Sequence, residues 1–296
     1  MNWAVVDLGT NSARLMIACV YGKKVISLYK TIRTIRIGEG MTTHGCISQA
    51  AMERAKTALL EFRQIGKEHK ANDFLCFATS AVREAGNKDE FLAFINTECG
   101  IDIDVVSGDM EALLGFAGCV HGSGGMIDIG GGSTEIVFGS INDVHFMNSF
   151  KIGTVRYHQL FPGGDEADAA AFNLAHAHAA DTFRDIPDTA EFEFMGIGGT
   201  ATALAAIDLE LKEYFAERVQ GHEITLKKAQ RLCAMLKGMT KEQRKTLTGL
   251  EENRADVIVF GAIILLEFMK AVRAERIIVS DRDNQEGYLM MKLGFK

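Results

Sequence analysis

The pattern V-V-D-L-G-T-N-S-A-R-L that begins at Val5 returns as M-I-D-I-G-G-G-S-T-E-I at Met126, a constant offset of 121 residues. Asp7 falls on Asp128, Gly9 on Gly130 and Ser12 on Ser133. An apolar run, an aspartate, a glycine-rich turn, a serine and a second apolar run, met twice at this spacing, point to a duplicated domain; solenoid repeats would recur every few tens of residues. Two related domains facing each other are expected. A chain of 296 residues has room for both, and 47% apolar residues can give each a core.

The pattern along the chain supports layers of strand and helix. Strands are expected at residues 3–7 and 13–21, on either side of the first turn, and at 25–36 after Gly22-Lys23-Lys24. Met52, Ala55, Leu59 and Phe62 lie at helical spacing within 48–67, with Ser48 as the cap. A strand at 73–78, a helix at 87–98, a strand at 103–106 and a helix at 109–120 follow. The glycine-rich H-G-S-G-G at residues 121–125 reads as a hinge, which sets the domains at 1–121 and 122–296. The second half continues with a strand at 144–152, a helix at 168–183 capped by Asp168, and a strand at 191–197 that runs into G-G-T-A-T-A-L. Helices from Thr202, at 225–239 and at 254–272, a strand at 276–280 and a last helix at 285–293 complete an α/β fold with mixed sheets.

Composition excludes several classes. The longest apolar stretch, residues 257–266, is about half of what a membrane-crossing helix requires. Met1 to Asp7 offers neither a basic leader nor a small-residue cleavage site, so the expected compartment is the cytoplasm. A net charge of -7 argues against broad attachment to nucleic acid or an anionic membrane, and a polyanionic substrate would need a local basic pocket. The six cysteines form no C-x-x-C pair; they read as small buried hydrophobes, not a zinc site or disulfide framework. His176 and His178, two apart in a helical stretch, read as solvated.

A strand that delivers an aspartate into a glycine-rich hairpin exposes backbone N–H groups that can hold an anion, while the carboxylate can bind a divalent cation. One such turn often merely closes a hairpin. Two copies facing across a hinge favour a site.

Further segments carry a family resemblance. DLGTNSARL at Asp7, RIGEGM at Arg36, ATSAVREAGN at Ala78, SGDMEALLGF at Ser107, DIGGGSTE at Asp128, GIGGTATAL at Gly196 and RADVIVFGAIIL at Arg254 together resemble the exopolyphosphatase and guanosine pentaphosphate phosphatase family. The resemblance spans almost the whole chain. It implies membership of the actin, Hsp70 and sugar-kinase superfamily, with two ribonuclease-H-like domains, mixed sheets flanked by helices, and a phosphate-binding cleft between them. By the same resemblance Gly9, Thr10, Asn11, Ser12 and Arg14 would form the first phosphate loop, and Gly130, Gly131, Gly132, Ser133 and Thr134 the second. Asp128 and Glu135 would contact Mg2+, with Asp7 a weaker ligand through water. Glu111 matches the family's catalytic base, and Arg83 would clamp phosphate oxygens with Arg14. Arg36 and Lys151 read as solvated strand-end charges.

The chain departs from the family pattern in Met110 and Leu113 around Glu111, in Gln285 where an arginine is usual, and in Phe260 where a proline is usual. It ends at Lys296, short of the added helical domains of long relatives, so reduced processivity on long chains is expected. The resemblance implies Mg2+-dependent hydrolysis of the terminal phosphoanhydride of inorganic polyphosphate, with closure about residues 121–125 excluding water. Hydrolysis of guanosine pentaphosphate is the nearest alternative. A small-molecule kinase, with adenosine against G-I-G-G-T at Gly196, and a non-catalytic nucleotide-binding module are further ones. A homodimer is an expectation from the resemblance.

Overall fold

The computed structural model describes residues 1–296 apart from 23, 188, 190, 191 and 296. It separates into two compact units, residues 1–114 with 284–296, and residues 115–283.

The first unit contains β1 (Asn2–Leu8), β2 (Ser12–Tyr21), β3 (Lys24–Thr34), α1 (Met41–His44), α2 (Gln49–Glu68), β4 (Ala71–Ala78), α3 (Ser80–Glu84), α4 (Lys88–Cys99), β5 (Asp104–Val105) and the start of α5 (Gly108–Cys119). Its five-stranded sheet has the order β3-β2-β1-β4-β5, antiparallel from β3 to β1 and parallel from β1 to β5. Strand alternation gives the sheet two apolar faces. Ala4, Val6 and Leu8 pack with Met52, Ala55, Leu59 and Phe62 of α2, while Val5 joins Met16, Phe77 and Leu114 on the opposite face. The Ser48 hydroxyl accepts the Ala51 N–H, so the expected cap of α2 is present.

The second unit contains β6 (Ser123–Ile129), β7 (Thr134–Ser140), β8 (Asp143–Phe150), α6 (Thr154–Leu160), α7 (Ala169–Thr182), β9 (Phe194–Ile197), α8 (Gly198–Asp208), α9 (Ala216–Val219), β10 (Glu223–Thr225), α10 (Leu226–Lys237), α11 (Lys241–Lys245), α12 (Ile258–Ala271) and β11 (Arg276–Val279). Its six-stranded sheet has the order β10-β11-β9-β6-β7-β8. From β8 inward, β8-β7-β6-β9-β11 repeats β3-β2-β1-β4-β5 with the same strand directions, and β10 is the addition. The duplication seen in sequence is a duplication of topology. The expected strand at 191–197 begins at Phe194, and its first expected residue, Glu191, lies outside the described residues, as does Lys23 of the Gly22-Lys23-Lys24 turn. No helix among the described residues is long and apolar enough to cross a membrane.

Several expectations need correction. The division falls at residue 114, inside α5, and not at 121. Residues 121–125 do not form a loop throughout: Ser123, Gly124 and Gly125 already belong to β6, paired with Ser140, Gly139 and Phe138. Packing demands glycine there, because a Cβ on Gly125 would stand 2.4 Å from the Phe194 ring. Cys46 is exposed and Cys19 half-buried, so only Cys76, Cys99, Cys119 and Cys233 are buried hydrophobes. His176 is half-buried, its Nδ1 2.7 Å from Glu267 Oε1 of α12, whereas His178 is exposed as expected, with its Nδ1 2.8 Å from the Tyr157 hydroxyl of α6.

The last helix, α13 (Asn284–Lys292), returns to the first unit. Tyr288 and Leu289 are buried against Val5, Met16 and Phe77, and Tyr288 stacks on Phe77 with ring centroids 4.5 Å apart. Lys292 and then the Tyr288 hydroxyl hold the Asp104 carboxyl below the usual carboxylate range. Gly287 fits directly against α5, where a Cβ would meet Leu114 O at 1.9 Å. Helix propensity alone favours alanine at this position by about 1 kcal/mol. The obstacle is backbone, which cannot swing aside, so overpacking of about 1–3 kcal/mol should win. Gly287→Ala is therefore expected to lower the denaturation midpoint; equal or higher stability would contradict this account of how α13 docks.

Candidate active site

The two hairpins are built alike. Asp7 lies opposite Arg14 and Leu8 opposite Ala13, just as Asp128 lies opposite Glu135 and Ile129 opposite Thr134. Each turn closes by the same bond, Gly9 N–H to Ser12 O at 3.0 Å and Gly130 N–H to Ser133 O at 2.9 Å.

The chain that follows each meander takes hold of the turn's carbonyls. In the second unit, the Gly130 carbonyl accepts Thr154 N–H at 2.9 Å, and the Gly131 carbonyl accepts Val155 and Arg156 N–H at 2.9 and 3.0 Å. Those donors are the first-turn amides of α6, which have no partner inside their own helix. A trans peptide is planar, so a carbonyl held on one side turns the next N–H to the other side. The Gly131 and Gly132 amides are thereby directed away from α6. In the first unit, Gly38 N–H holds the Thr10 carbonyl at 2.9 Å, and Ile35 and Arg36 N–H hold that of Asn11 at 3.0 and 2.8 Å, which turns the Asn11 and Ser12 amides in the same manner. Successive amides facing one side make an anion-binding concavity. Both clamping segments approach through a glycine: a Cβ on Gly38 would lie 2.2 Å from the Thr10 side chain, and one on Gly153 2.5 Å from Gly131 O.

In the first unit, Asp7 and Arg14 are direct cross-strand neighbours and form a salt bridge between Asp7 Oδ2 and Arg14 Nη2. Both lie on the sheet face of Val5 and Met16, where α5 packs through Leu114. Glu111 is one turn before Leu114 on that helix, whose start is capped by the Ser107 hydroxyl accepting Met110 N–H. Glu111 is buried, and Arg83 Nη1 donates both to its Oε2 and to Val106 O, each at 2.9 Å. The guanidinium thus fixes the direction of the carboxylate. Gln285, the departure from the family arginine, is buried and donates to Val5 O at 2.7 Å and Arg14 O at 3.1 Å, tying α13 to the base of the hairpin.

In the second unit an acid faces an acid. Asp128 and Glu135 are both buried, and Ser149, opposite Glu135 on β8, donates its hydroxyl to Oε1 at 2.6 Å. Gly198, at φ 72°, leaves room for Asp128: a Cβ there would stand 2.3 Å from Oδ1. Gly199 lies under the Arg254 guanidinium, with a Cβ position 2.5 Å from Nη2. The Thr200 hydroxyl reaches back to Ile129 O at 2.6 Å. The glycines expected to admit an adenosine thus serve Asp128 and Arg254. Burial and then the Asp128 and Asp283 carboxylates push the Cys119 thiol far above its ordinary range.

Among the described residues there is no cluster of three or more His, Cys, Asp or Glu side chains that could cage a metal ion. Asp128 and Glu135, two hard-oxygen donors on one sheet face, fit magnesium, which is commonly held by one or two carboxylates together with phosphate oxygens and water. Asp7, expected as a weaker ligand, carries an arginine across the strand pair instead of a second acid. Thr134, expected in the second phosphate loop, is fully buried and its hydroxyl donates to Ile152 O at 2.8 Å. Lys151 is exposed, while Arg36, at φ 46°, is half-buried and serves the first hairpin through its backbone. Phe260 is fully buried among Tyr157, Phe172 and His158. Arg254 and Arg156 had no assigned role in sequence; the recurrence of Arg36-Ile37-Gly38 as Lys151-Ile152-Gly153 was the available signal for the clamping segments.

Residues 16–295 match the Ppx/GppA phosphatase family. The bifunctional 3-dehydroquinate synthase/phosphatase of Fusobacterium nucleatum is 30% identical over 97% of this chain, which spans only 46% of that protein's length. Exopolyphosphatase 2 of Mycobacterium tuberculosis is 31% identical over 98% of both chains. The guanosine-5'-triphosphate,3'-diphosphate pyrophosphatase of Aeromonas hydrophila is 28% identical over 99% of this chain and 59% of its own. Among solved structures, an exopolyphosphatase from Cytophaga hutchinsonii superposes with a TM-score of 0.88 at 28% identity, covering 100% of this chain and 99% of that one.

The cradle around Asp128 is open to test. Gly198→Ala forces an L side chain into left-handed backbone and pushes on Oδ1. It should weaken Mg2+ affinity at least about tenfold in calorimetric titration while the circular dichroism spectrum is kept. An unchanged titration would remove Asp128 as a ligand.

Proposed function

Because the chain belongs to the Ppx/GppA phosphatase family, we propose that it is an exopolyphosphatase that hydrolyses the terminal phosphoanhydride of inorganic polyphosphate and releases orthophosphate. The observation that carries this reading is the pair of hairpins whose amides are turned to one side by captured carbonyls. Amides fixed in this way need no reorganisation when phosphate charge develops, and such preorganisation carries most of the catalysis in phosphoryl transfer.

Each residue then has a task. The Gly131 and Gly132 amides of one hairpin and the Asn11 and Ser12 amides of the other hold phosphate oxygens. Arg83 keeps the Glu111 carboxylate in a fixed direction. Glu111 orients a water molecule and accepts its proton as the water oxygen bonds to the terminal phosphorus; the bridging oxygen leaves with the shortened chain. Asp128 and Glu135 are the residues that would hold Mg2+, which when bound supplies positive charge to the phosphate oxygens. The proposal includes a cytoplasmic setting and a homodimer. Guanosine pentaphosphate is the second substrate to weigh, on the strength of the Aeromonas relative.

Phosphate release from long and short polyphosphate, guanosine pentaphosphate and ATP, with and without Mg2+, decides between them. Mg2+-dependent release with the highest kcat/KM on polyphosphate is expected; a preference for guanosine pentaphosphate would favour the second reading. Glu111→Gln should reduce kcat on the order of a hundredfold or more with little change in KM. Turnover by that variant comparable to wild type would defeat the assignment of the base.

A further inference from the structure

Arg156, in the first turn of α6, reaches the second hairpin twice. Its amide N–H donates to Gly131 O at 3.0 Å and its side-chain Nε to Gly132 O at 2.8 Å. Any residue but proline supplies the first bond. The second requires a side-chain donor of this reach and direction.

The first hairpin meets the same need without a side chain. Its Asn11 carbonyl, which corresponds to that of Gly132 at the 121-residue offset, accepts two backbone N–H groups, from Ile35 and Arg36. The second hairpin is also freer by composition, G-G-G where the first has G-T-N, so its peptide planes rotate more easily. Rotation of the Gly132–Ser133 peptide would replace the Ser133 N–H by a carbonyl oxygen on the face that meets the anion.

We propose that Arg156 is a positioning residue for phosphate binding: by holding the Gly132 carbonyl it keeps the Ser133 amide beside those of Gly131 and Gly132, completing a set of three donors. This inference rests on the reading that the hairpin holds phosphate. Arg156 acts through the backbone of the loop and takes no part in the transfer of a proton or a phosphoryl group. A lysine here would keep the charge but replace the fixed fork by a rotating ammonium, so both Arg156→Lys and Arg156→Ala should lose the effect.

The test compares wild type with both variants in calorimetric binding of pyrophosphate, steady-state release from polyphosphate, and thermal melting. The expected result is a Kd for pyrophosphate and a KM for polyphosphate raised about tenfold in both variants. Changes in kcat should stay within about twofold, with melting temperatures close to wild type. Equal Kd and KM in all three proteins would overturn the proposal. So would a fall in kcat that tracks lost folded protein while KM holds, the mark of a structural role. Wild type that binds pyrophosphate but releases no orthophosphate would overturn the exopolyphosphatase reading and leave the Arg156 comparison intact. Wild type that binds no pyrophosphate would overturn both.

Discussion

The Gly130 and Gly131 carbonyls are held by backbone amides from the start of α6, and much of the second unit's candidate chemistry follows from that contact. The exchange serves both sides. A helix of seven residues obtains acceptors for the N–H groups that its own hydrogen-bond ladder leaves over, and a run of three glycines obtains a fixed orientation that its sequence could not supply. Planarity of the peptide then converts held carbonyls into directed amides. The first unit reaches the same state by a different route, with Gly38, Ile35 and Arg36 taking the part of the helix turn.

Duplication of the frame has not meant duplication of charge. At matching positions of the two hairpins, the first places Arg14 across from Asp7 and the second places Glu135 across from Asp128. In the first the carboxylate meets an arginine, while in the second two carboxylates lie side by side on one sheet face, and neighbouring like charges raise the cost of ionising both. One topological unit thus carries ion pairs, Asp7 with Arg14 and Glu111 with Arg83, where the other sets two carboxylates side by side. The glycines at 198 and 199 belong to this second specialisation, since they let α8 begin beside Asp128 and Arg254.

Much of this was legible in sequence because the signals were local. Strand alternation, helical spacing around Met52 and Leu59, the caps at Ser48 and Asp168, and the repeated D-x-G hairpin each depend on neighbours within a few residues. What escaped depends on distant contacts. Gly124 and Gly125 resemble a hinge in one dimension, yet Gly125 is small because of the Phe194 ring, some seventy positions along the chain. Nothing near Tyr288 announces that α13 crosses back to pack on Val5 and Phe77, and no local pattern announces that the Arg156 side chain reaches the Gly132 carbonyl or that the Arg254 guanidinium lies over Gly199. The departures at Gln285 and Phe260 were visible as letters, but their roles became clear only from the carbonyls and rings they meet.

The most direct measurement is of the amides themselves. In two-dimensional amide NMR spectra of the 15N-labelled protein titrated with pyrophosphate, Gly131, Gly132 and Ser133 should show the largest shifts, followed by Asn11 and Ser12. If those resonances stayed in place while pyrophosphate bound and moved others, the hairpin amides would not be the phosphate site, and the account built on them would fail.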